Sequence, residues 1–525
     1  MTKNKIYLPI FLSIATAVGI FIGSNLNYNK NSSLLFNKSP QEQKIKKLIN
    51  FIEYDYVDDI NTDSLLDGTI RNIVSKLDPH SVYIPAKEHQ EIEEKMNGKF
   101  VGIGIQFRMI NDTLTIINTI KDGPSEKVGL KAGDRILMAN KASLSGKKFN
   151  SDSIIGKLKG KEKSIVNLRV FRKTDNTILD YEVARGYVPI KSIDAAYLIK
   201  DDIGYIKLHN FTATSYNEFI KELKKLKIRG MQTLILDLRG NTGGFIGVTT
   251  KIIDEFLEDD KLIVFTKNNK GTVEKIFATD KGDFENGKIY VLIDEDSASA
   301  SEILAGALQD NDKGIIVGRR SFGKGLVQQD MELGGGSSVR LTTARYYTPT
   351  GRSIQKPYKL NHKSEYYEDD FQKRYLRGEL TSKDSIHVID SLKFVTPKGK
   401  VVYGGGGIIP DVFVPLDTNN VFGNYHFTVM NNFVFDYVDS HRLYFENITI
   451  DSFMENFDND NKITQTYIDK INKSFHYKNK QNKQIKHYLK AMFARELYND
   501  YGFYQVLNTN DNVIKKVLEL ESVED

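Results

Sequence analysis

Ile289-Tyr290-Val291-Leu292-Ile293-Asp294-Glu295-Asp296-Ser297-Ala298-Ser299-Ala300-Ser301-Glu302-Ile303-Leu304-Ala305-Gly306-Ala307-Leu308 is the stretch on which the fold turns. Its first five residues are apolar without interruption and read as a strand buried on both faces. The alanine-rich run after the acidic turn reads as a helix, and a strand covered twice belongs to a sheet flanked by helices. One of the serines opens that helix, where free N–H groups and the positive dipole end favour a developing oxyanion. Ser299-Ala300-Ser301-Glu302 also fits a capping box, so the stretch alone leaves open whether it starts a helix or carries a nucleophile.

Working outward, the next strand is Gly314-Ile315-Ile316-Val317-Gly318, followed by Ser321-Phe322-Gly323-Lys324-Gly325. A strand–helix–strand crossover returns the chain to the edge that carries the serine. Lys324 is bracketed by glycines and can occupy a tight, enclosed loop. A lysine held away from water has its pKa pulled down from ~10.4. Near ~7–8 such an amine can serve as general base to a serine. On the upstream side, Thr233-Leu234-Ile235-Leu236-Asp237-Leu238 is another nearly continuous apolar strand, and it runs into Arg239-Gly240-Asn241-Thr242-Gly243-Gly244. Glycines after a buried strand expose backbone N–H groups, as an oxyanion hole requires. The turn carries neither Gly-Lys-Ser/Thr nor a complete Gly-x-Gly-x-x-Gly, which argues against a phosphate loop.

Further upstream the pattern changes to short alternating runs split by glycine turns. Phe100-Val101-Gly102-Ile103-Gly104-Ile105, with Gly129-Leu130-Lys131-Ala132-Gly133-Asp134-Arg135-Ile136-Leu137 downstream, resembles a PDZ domain. In that resemblance Gly102, Ile103, Gly104 and Ile105 cap the terminal carboxylate of a peptide that adds as a strand to the sheet edge.

Composition narrows the function. Lys plus Arg number 73 and Asp plus Glu 68, a net charge of +5 over 525 residues, with no long basic run; a nucleic-acid binder is not expected. Hydrophobic residues at 40% and charged residues at 27% describe a globular chain with room for three or four domains. Absence of cysteine excludes a disulfide scaffold, a cysteine nucleophile and a thiolate zinc site. No His/Asp/Glu group has metal-ligand spacing, and neither a metal nor another cofactor is expected. Lys3 and Lys5 precede an apolar run from Ile6 to Gly23 that reads as a signal anchor, its positive end in the cytoplasm. This predicts a single-pass inner-membrane protein, held in the membrane through residues 6–23, with its catalytic part in the periplasm. The expected divisions are the anchor (1–23), a linker (24–40), an N-terminal helical segment (41–96), a PDZ domain (97–186), a sheet core (187–415) and a helical C-terminal region (416–525). Residues 358–396 are polar and charged and look like an insertion in the core.

Taken together, Asp237 to Gly244, Ser297 to Glu302 and Phe322 to Gly325 resemble the carboxyl-terminal-processing (tail-specific) serine proteases. The likeness covers about residues 41–415. It includes Asp78-Pro79-His80-Ser81, Leu341-Thr342-Thr343-Ala344-Arg345-Tyr346-Tyr347-Thr348-Pro349 and Gly407-Ile408-Ile409-Pro410-Asp411. It implies an α/β, multidomain α+β chain: a crotonase/ClpP-like protease core with an inserted PDZ domain, N-terminal helices and a helical tail. It implies Ser299 as nucleophile, Lys324 as base and Gln328 as the residue that orients the lysine. The oxyanion hole would be the N–H of Ala300 with that of Gly243 or Gly244. The implied activity is endopeptidase cleavage of extracytoplasmic proteins with flexible C-termini, with PDZ-controlled access; a homo-oligomer is allowed.

Geometry weighs the remaining candidates. In a plain strand Lys324 and Gln328 would stand ~13 Å apart, so a bend at Gly325 is required. Asp310 lies ~16 Å from Ser299 along one helix and reads as structural. Glu302, one turn from Ser299, reads as a cap. His209, after the strand Tyr205-Ile206-Lys207-Leu208, is the rival base. The rival functions are a catalytically inactive, membrane-tethered PDZ scaffold and a crotonase-like acyl-CoA enzyme.

Overall fold

The computed structural model describes residues 39–144, 151–359, 363–418, 422–472 and 482–524, together with Ser13 and Thr16. Among the described residues, those from Ser39 to Val74 belong to a unit of their own, with helix Pro40–Asp55 and all but the last residue of helix Thr62–Ser75. The first begins in a capping box between Ser39 and Glu42.

The core of the larger unit is a six-stranded sheet. Its strands are Ile193–Lys200, Ile203–Leu208, Thr233–Asp237, Lys288–Ile293, Gly314–Gly318 and Val412–Phe413, neighbours in sheet order as they are in sequence. The first pair is antiparallel and every later pair parallel. Parallel neighbours need crossovers, supplied in part by helices Ser215–Ile228, Ile246–Asp254 and Ala300–Asp310. Because side chains alternate across a strand, each strand splits its apolar residues between two cores. Leu234, Leu236, Ile289 and Val291 face the crossover helices, packing with Phe219, Ile253 and Leu304. Ile235, Tyr290, Leu292 and Val317 face the other way, against Val513, Ile514 and Val517 of the last helix, Asn512–Glu524. The C-terminal tail is therefore the second cover of the sheet.

Outside the described residues fall most of the apolar run Ile6–Gly23 and the linker to residue 38. Among the described residues no helix is long and apolar enough to cross a membrane. The longest, Asn482–Asn508, carries Lys483, Lys486, Lys490, Arg495 and Glu496 where a span needs ~20 predominantly apolar residues. This overturns the expected single-pass inner-membrane placement, with its periplasmic catalytic part.

Two further layers position the site. A second sheet joins Val82–Ile84, Ser337–Tyr347, Leu262–Asn268 and Val273–Phe277, with Leu326–Gly334 paired to Ser337–Tyr347. The PDZ domain hangs from a two-stranded stem, Lys99–Gly102 with Gly186–Pro189. Its own sheet runs in the order Ile105–Ile110, Thr113–Thr119, Arg135–Ala139, Ile165–Arg172, Thr177–Ala184, so Ile105–Ile110 is an edge strand. The tail helices bury their aromatics among themselves, Phe433, Tyr467 and Phe493 included.

The PDZ domain rests on that tail. Asp439, 5% exposed, pairs with Arg135 (2.6 Å) and Lys173 (2.8 Å) of the PDZ domain and with Arg442 (3.2 Å) of the tail. Burial alone would raise its carboxyl, but Arg135 and its neighbours hold it down at about 2. A cavity of about 940 Å³ opens beside this contact, lined from both sides.

Candidate active site

Helix Ala300–Asp310 is buried along its whole length, which fixes where its first residue sits. Ser299 precedes it with φ +56° and ψ −113°, the left-handed side of the map that non-glycine residues rarely occupy. The three serines part company here. Ser297 gives its hydroxyl to the Leu238 carbonyl (2.9 Å) and Ser301 gives its own to the Asn241 carbonyl (2.8 Å). Ser299 makes no side-chain capping hydrogen bond, and the N–H of Glu302 goes to the Ser299 carbonyl instead (2.9 Å).

Glu302 caps the helix as expected, accepting the Ser299 N–H at 2.8 Å. Its reach is wider than a cap. Fully buried, it also accepts the Ser321 hydroxyl (2.5 Å) and the N–H groups of Gly323 (2.7 Å) and Lys324 (2.8 Å). Burial raises its carboxyl above the ordinary value, and these donors pull it back. Tyr346 makes a second bridge. Its hydroxyl lies 3.1 Å from the Ser299 carbonyl and also contacts the Lys324 carbonyl. The residue with the free hydroxyl and the residue with the candidate base are thus held by the same carboxylate and the same phenol. Sequence reading missed Tyr346: in an alternating strand a buried tyrosine looks like core.

Lys324 donates its ammonium to Gln328 Oε1 at 2.9 Å. The register of strand Leu326–Gly334 is irregular between Val327 and Gln328, and this bulge with two long side chains closes the ~13 Å that a plain strand would impose. Burial pulls the Lys324 amine down to about 8, and the nearby Arg340 cation adds to the effect. Asp78 and Glu302 oppose it. Asp78 itself holds a turn, accepting the N–H groups of His80 and Ser81 and the hydroxyl of Thr342.

The glycine turn meets the helix start at close range. A Cβ on Gly243, at φ +105°, would lie 2.9 Å from the Ser299 Cβ and 3.0 Å from the Ala300 nitrogen. A Cβ on Gly244 would lie 2.0 Å from the Phe211 carbonyl oxygen. The Gly243 N–H is spent on Asn241 Oδ1 at 2.9 Å. Among the described residues no acceptor takes the N–H of Gly244 or of Ala300.

Two other candidates lie elsewhere. Asp310 accepts Arg352 (2.7 Å) and the Thr350 hydroxyl (2.6 Å) at the far end of the helix. The His209 side chain is 61% exposed and faces Asp194 at 3.8 Å. In the PDZ domain Gly104 has φ +75° and turns the stem into the edge strand Ile105–Ile110, with Ile103 buried below.

Comparison with known proteins finds matches along much of the chain. Residues 202–361 match peptidase family S41 and residues 101–183 match the PDZ domain. Residues 19–88 match the N-terminal domain of activating protease CtpB, and residues 425–499 match a family of unknown function. Carboxy-terminal processing protease CtpB of Bacillus subtilis is 33% identical over 319 residues, 60% of this chain and 65% of the relative. This chain thus spans just under two thirds of that relative. The carboxy-terminal-processing protease of Bartonella bacilliformis is 33% identical over 345 residues, 64% of this chain and 78% of the relative. The solved photosystem II D1 C-terminal processing protease aligns over 71% of this chain and 86% of its own, at 22% identity and a TM-score of 0.36.

Proposed function

The chain belongs to the carboxy-terminal-processing serine proteases, and from that premise we propose that it is an endopeptidase that cleaves proteins near exposed, flexible C-termini by a Ser299–Lys324 mechanism under PDZ control. The observation that carries this reading is the double bridge: Glu302 and Tyr346 each bind the backbone of both Ser299 and Lys324. A pair held this way keeps its geometry without help from substrate, which is what positioned acid–base catalysis requires.

The substrate's terminal carboxylate docks at Gly102–Ile105, and the segment before it adds to the edge strand. Neutral Lys324, oriented by Gln328, takes the proton of the Ser299 hydroxyl as the oxygen attacks the scissile carbonyl carbon. Negative charge moves to the carbonyl oxygen, facing the N–H of Ala300 and, with Gly243 engaged by Asn241, the N–H of Gly244. Protonated Lys324 then gives its proton to the leaving amine as the C–N bond breaks. Water, deprotonated by the same amine, attacks the Ser299 ester and releases the new C-terminus.

The test uses an unfolded protein with an apolar tail as substrate and a tail peptide as ligand. Ser299→Ala and Lys324→Ala should each abolish cleavage while peptide affinity stays within about twofold. Cleavage by Ser299→Ala protein would refute the assignment, and a wild type that binds the tail without cutting would favour the scaffold.

A further inference from the structure

We propose that Asp511 is a positioning residue for the oxyanion turn, so that the C-terminal tail completes the catalytic site; this rests on the Ser299–Lys324 reading above. Neither the S41 match nor the tail match reaches residue 511.

The turn begins at Arg239, and Arg239 is gripped from two directions. Its Nε and one terminal nitrogen bind Asp237 at 3.0 and 2.6 Å, and its other terminal nitrogen binds Asp511 Oδ2 at 2.7 Å. Asp237 is fully buried and also takes the Tyr205 hydroxyl (2.8 Å) and Lys207 (3.2 Å), which bonds the Arg239 carbonyl as well. Burial would raise the Asp237 carboxyl, but the two cations hold it far below the ordinary range. Two cations thus face two carboxylates, and the tail supplies one of the four. Without Asp511 the cluster holds an excess positive charge and one guanidinium nitrogen loses its acceptor.

The path from there to the chemistry is short. Asn241, two residues on, gives its amide to the Leu208 carbonyl and takes the Gly243 N–H. Its own carbonyl accepts the Ala298 N–H (3.0 Å) and the Ser301 hydroxyl (2.8 Å), on both sides of Ser299. Displacing Arg239 therefore displaces the turn that shapes the oxyanion site.

Asp511 has a second task that allows the two roles to be separated. Its Oδ1 accepts the N–H groups of Val513 and Ile514 and so starts the last helix. Asp511→Asn keeps an oxygen for that cap but sets an amide NH₂ against the guanidinium. Full-length wild type, Asp511→Asn, Asp511→Glu and Ser299→Ala would be compared on an internally quenched peptide that ends in an apolar residue with a free carboxylate. For Asp511→Asn the expectation is a kcat per folded molecule lower by about tenfold or more, KM within about twofold, and an unchanged circular dichroism spectrum at the assay temperature, even though the thermal midpoint falls. Asp511→Glu should recover most of the lost kcat. A wild-type kcat in Asp511→Asn, or a kcat that falls only in step with the folded fraction, overturns the proposal. Turnover by Ser299→Ala would instead overturn the serine–lysine reading beneath it.

Discussion

Lys324 donates its backbone N–H to Oε2 of Glu302 at 2.8 Å, the oxygen that also accepts the N–H of Ser299 at 2.8 Å. One atom therefore sets the distance between the strand-to-helix turn and the lysine loop. A helix cap, ordinarily a local device, has become the joint between two loops, and its failure should be felt at both.

Replacing Glu302 by Gln tests that joint. A glutamine has one acceptor oxygen for four donors, and its NH₂ must face N–H or O–H groups. Each buried donor left without its acceptor costs about 1–3 kcal/mol. The expected result is a clearly lower midpoint in urea and a kcat reduced by about a hundredfold or more, even where the variant is fully folded. A folded Glu302→Gln protein with near-normal turnover would dispose of the joint.

The amine of Lys324 gives a pH signature. In the folded protein it loses its proton at about 8, and below that the charged form cannot take a proton from Ser299. kcat/KM should rise with pH by roughly tenfold per unit and level off above about 8. Arg340→Gln removes a cation that disfavours the charged amine, so its limb should move to higher pH. Stability follows the same linkage. Between about 8 and the ordinary lysine value of 10.5 the unfolded chain binds more protons, so folding becomes more favourable as pH rises through that window. Lys324→Met should therefore be inactive, yet more heat-stable than wild type at pH 7. A pH-independent rate between 6 and 9 would contradict the assignment of the base.

The two turn glycines should fail for different reasons. Gly243→Ala drives a methyl against Ser299 and Ala300, while Gly244→Ala drives one into the Phe211 carbonyl. Both also force alanine to positive φ, a cost of about 1–2 kcal/mol before any clash. Gly240→Ala, also at positive φ but with open space around its Cβ, serves as control. Its activity should stay within about tenfold of wild type, and the other two should fall to background. Equal behaviour of all three would mean that backbone strain alone, not the approach to Ser299, limits this turn.

Docking of the PDZ domain should depend on Asp439. With its carboxylate replaced in Asp439→Ala, Arg135, Lys173 and Arg442 face one another unpaired. Amide exchange in Arg135–Ala139 and in helix Asn424–Ser440 should quicken by about tenfold or more. Acid should act in the same direction. The folded carboxyl titrates at about 2 against 3.8 when free, so its contribution is complete above about pH 4 and fades as pH falls toward 2. Unaltered exchange in Asp439→Ala would show that the contact is held by something else.

Much of the sheet and its site was legible because period and punctuation report them directly. Unbroken apolar runs gave the central strands, glycines gave the turn and the lysine loop, and the alanine-rich segment gave the helix. The capping-box pattern identified Glu302, but not its bonds to Gly323 and Lys324, since a cap is read from spacing three and those partners stand 21 and 22 residues away. Gln328 reaches Lys324 only if the strand departs from plain geometry, which the sequence reading expects at Gly325; the irregular register lies between Val327 and Gln328, where no residue type announces it. The tail's aromatics were readable as core, yet nothing in the tail's pattern says that Val513, Ile514 and Val517 close the far face of a sheet whose strands lie between Ile193 and Phe413. The membrane placement came from the first apolar run alone, and no described helix supports it.

That late closure also sets a clock. A ribosome adds roughly 5–20 residues per second, and domains begin to form on the nascent chain as they emerge. Strands 233–237 and 288–293 and the helix carrying Ser299 leave the tunnel many seconds before residues 513–517 can cover them. Until then the sheet keeps one greasy side open to water and to passing chaperones, and a message cut short before codon 511 encodes Ser299 and Lys324 on a half-dressed scaffold.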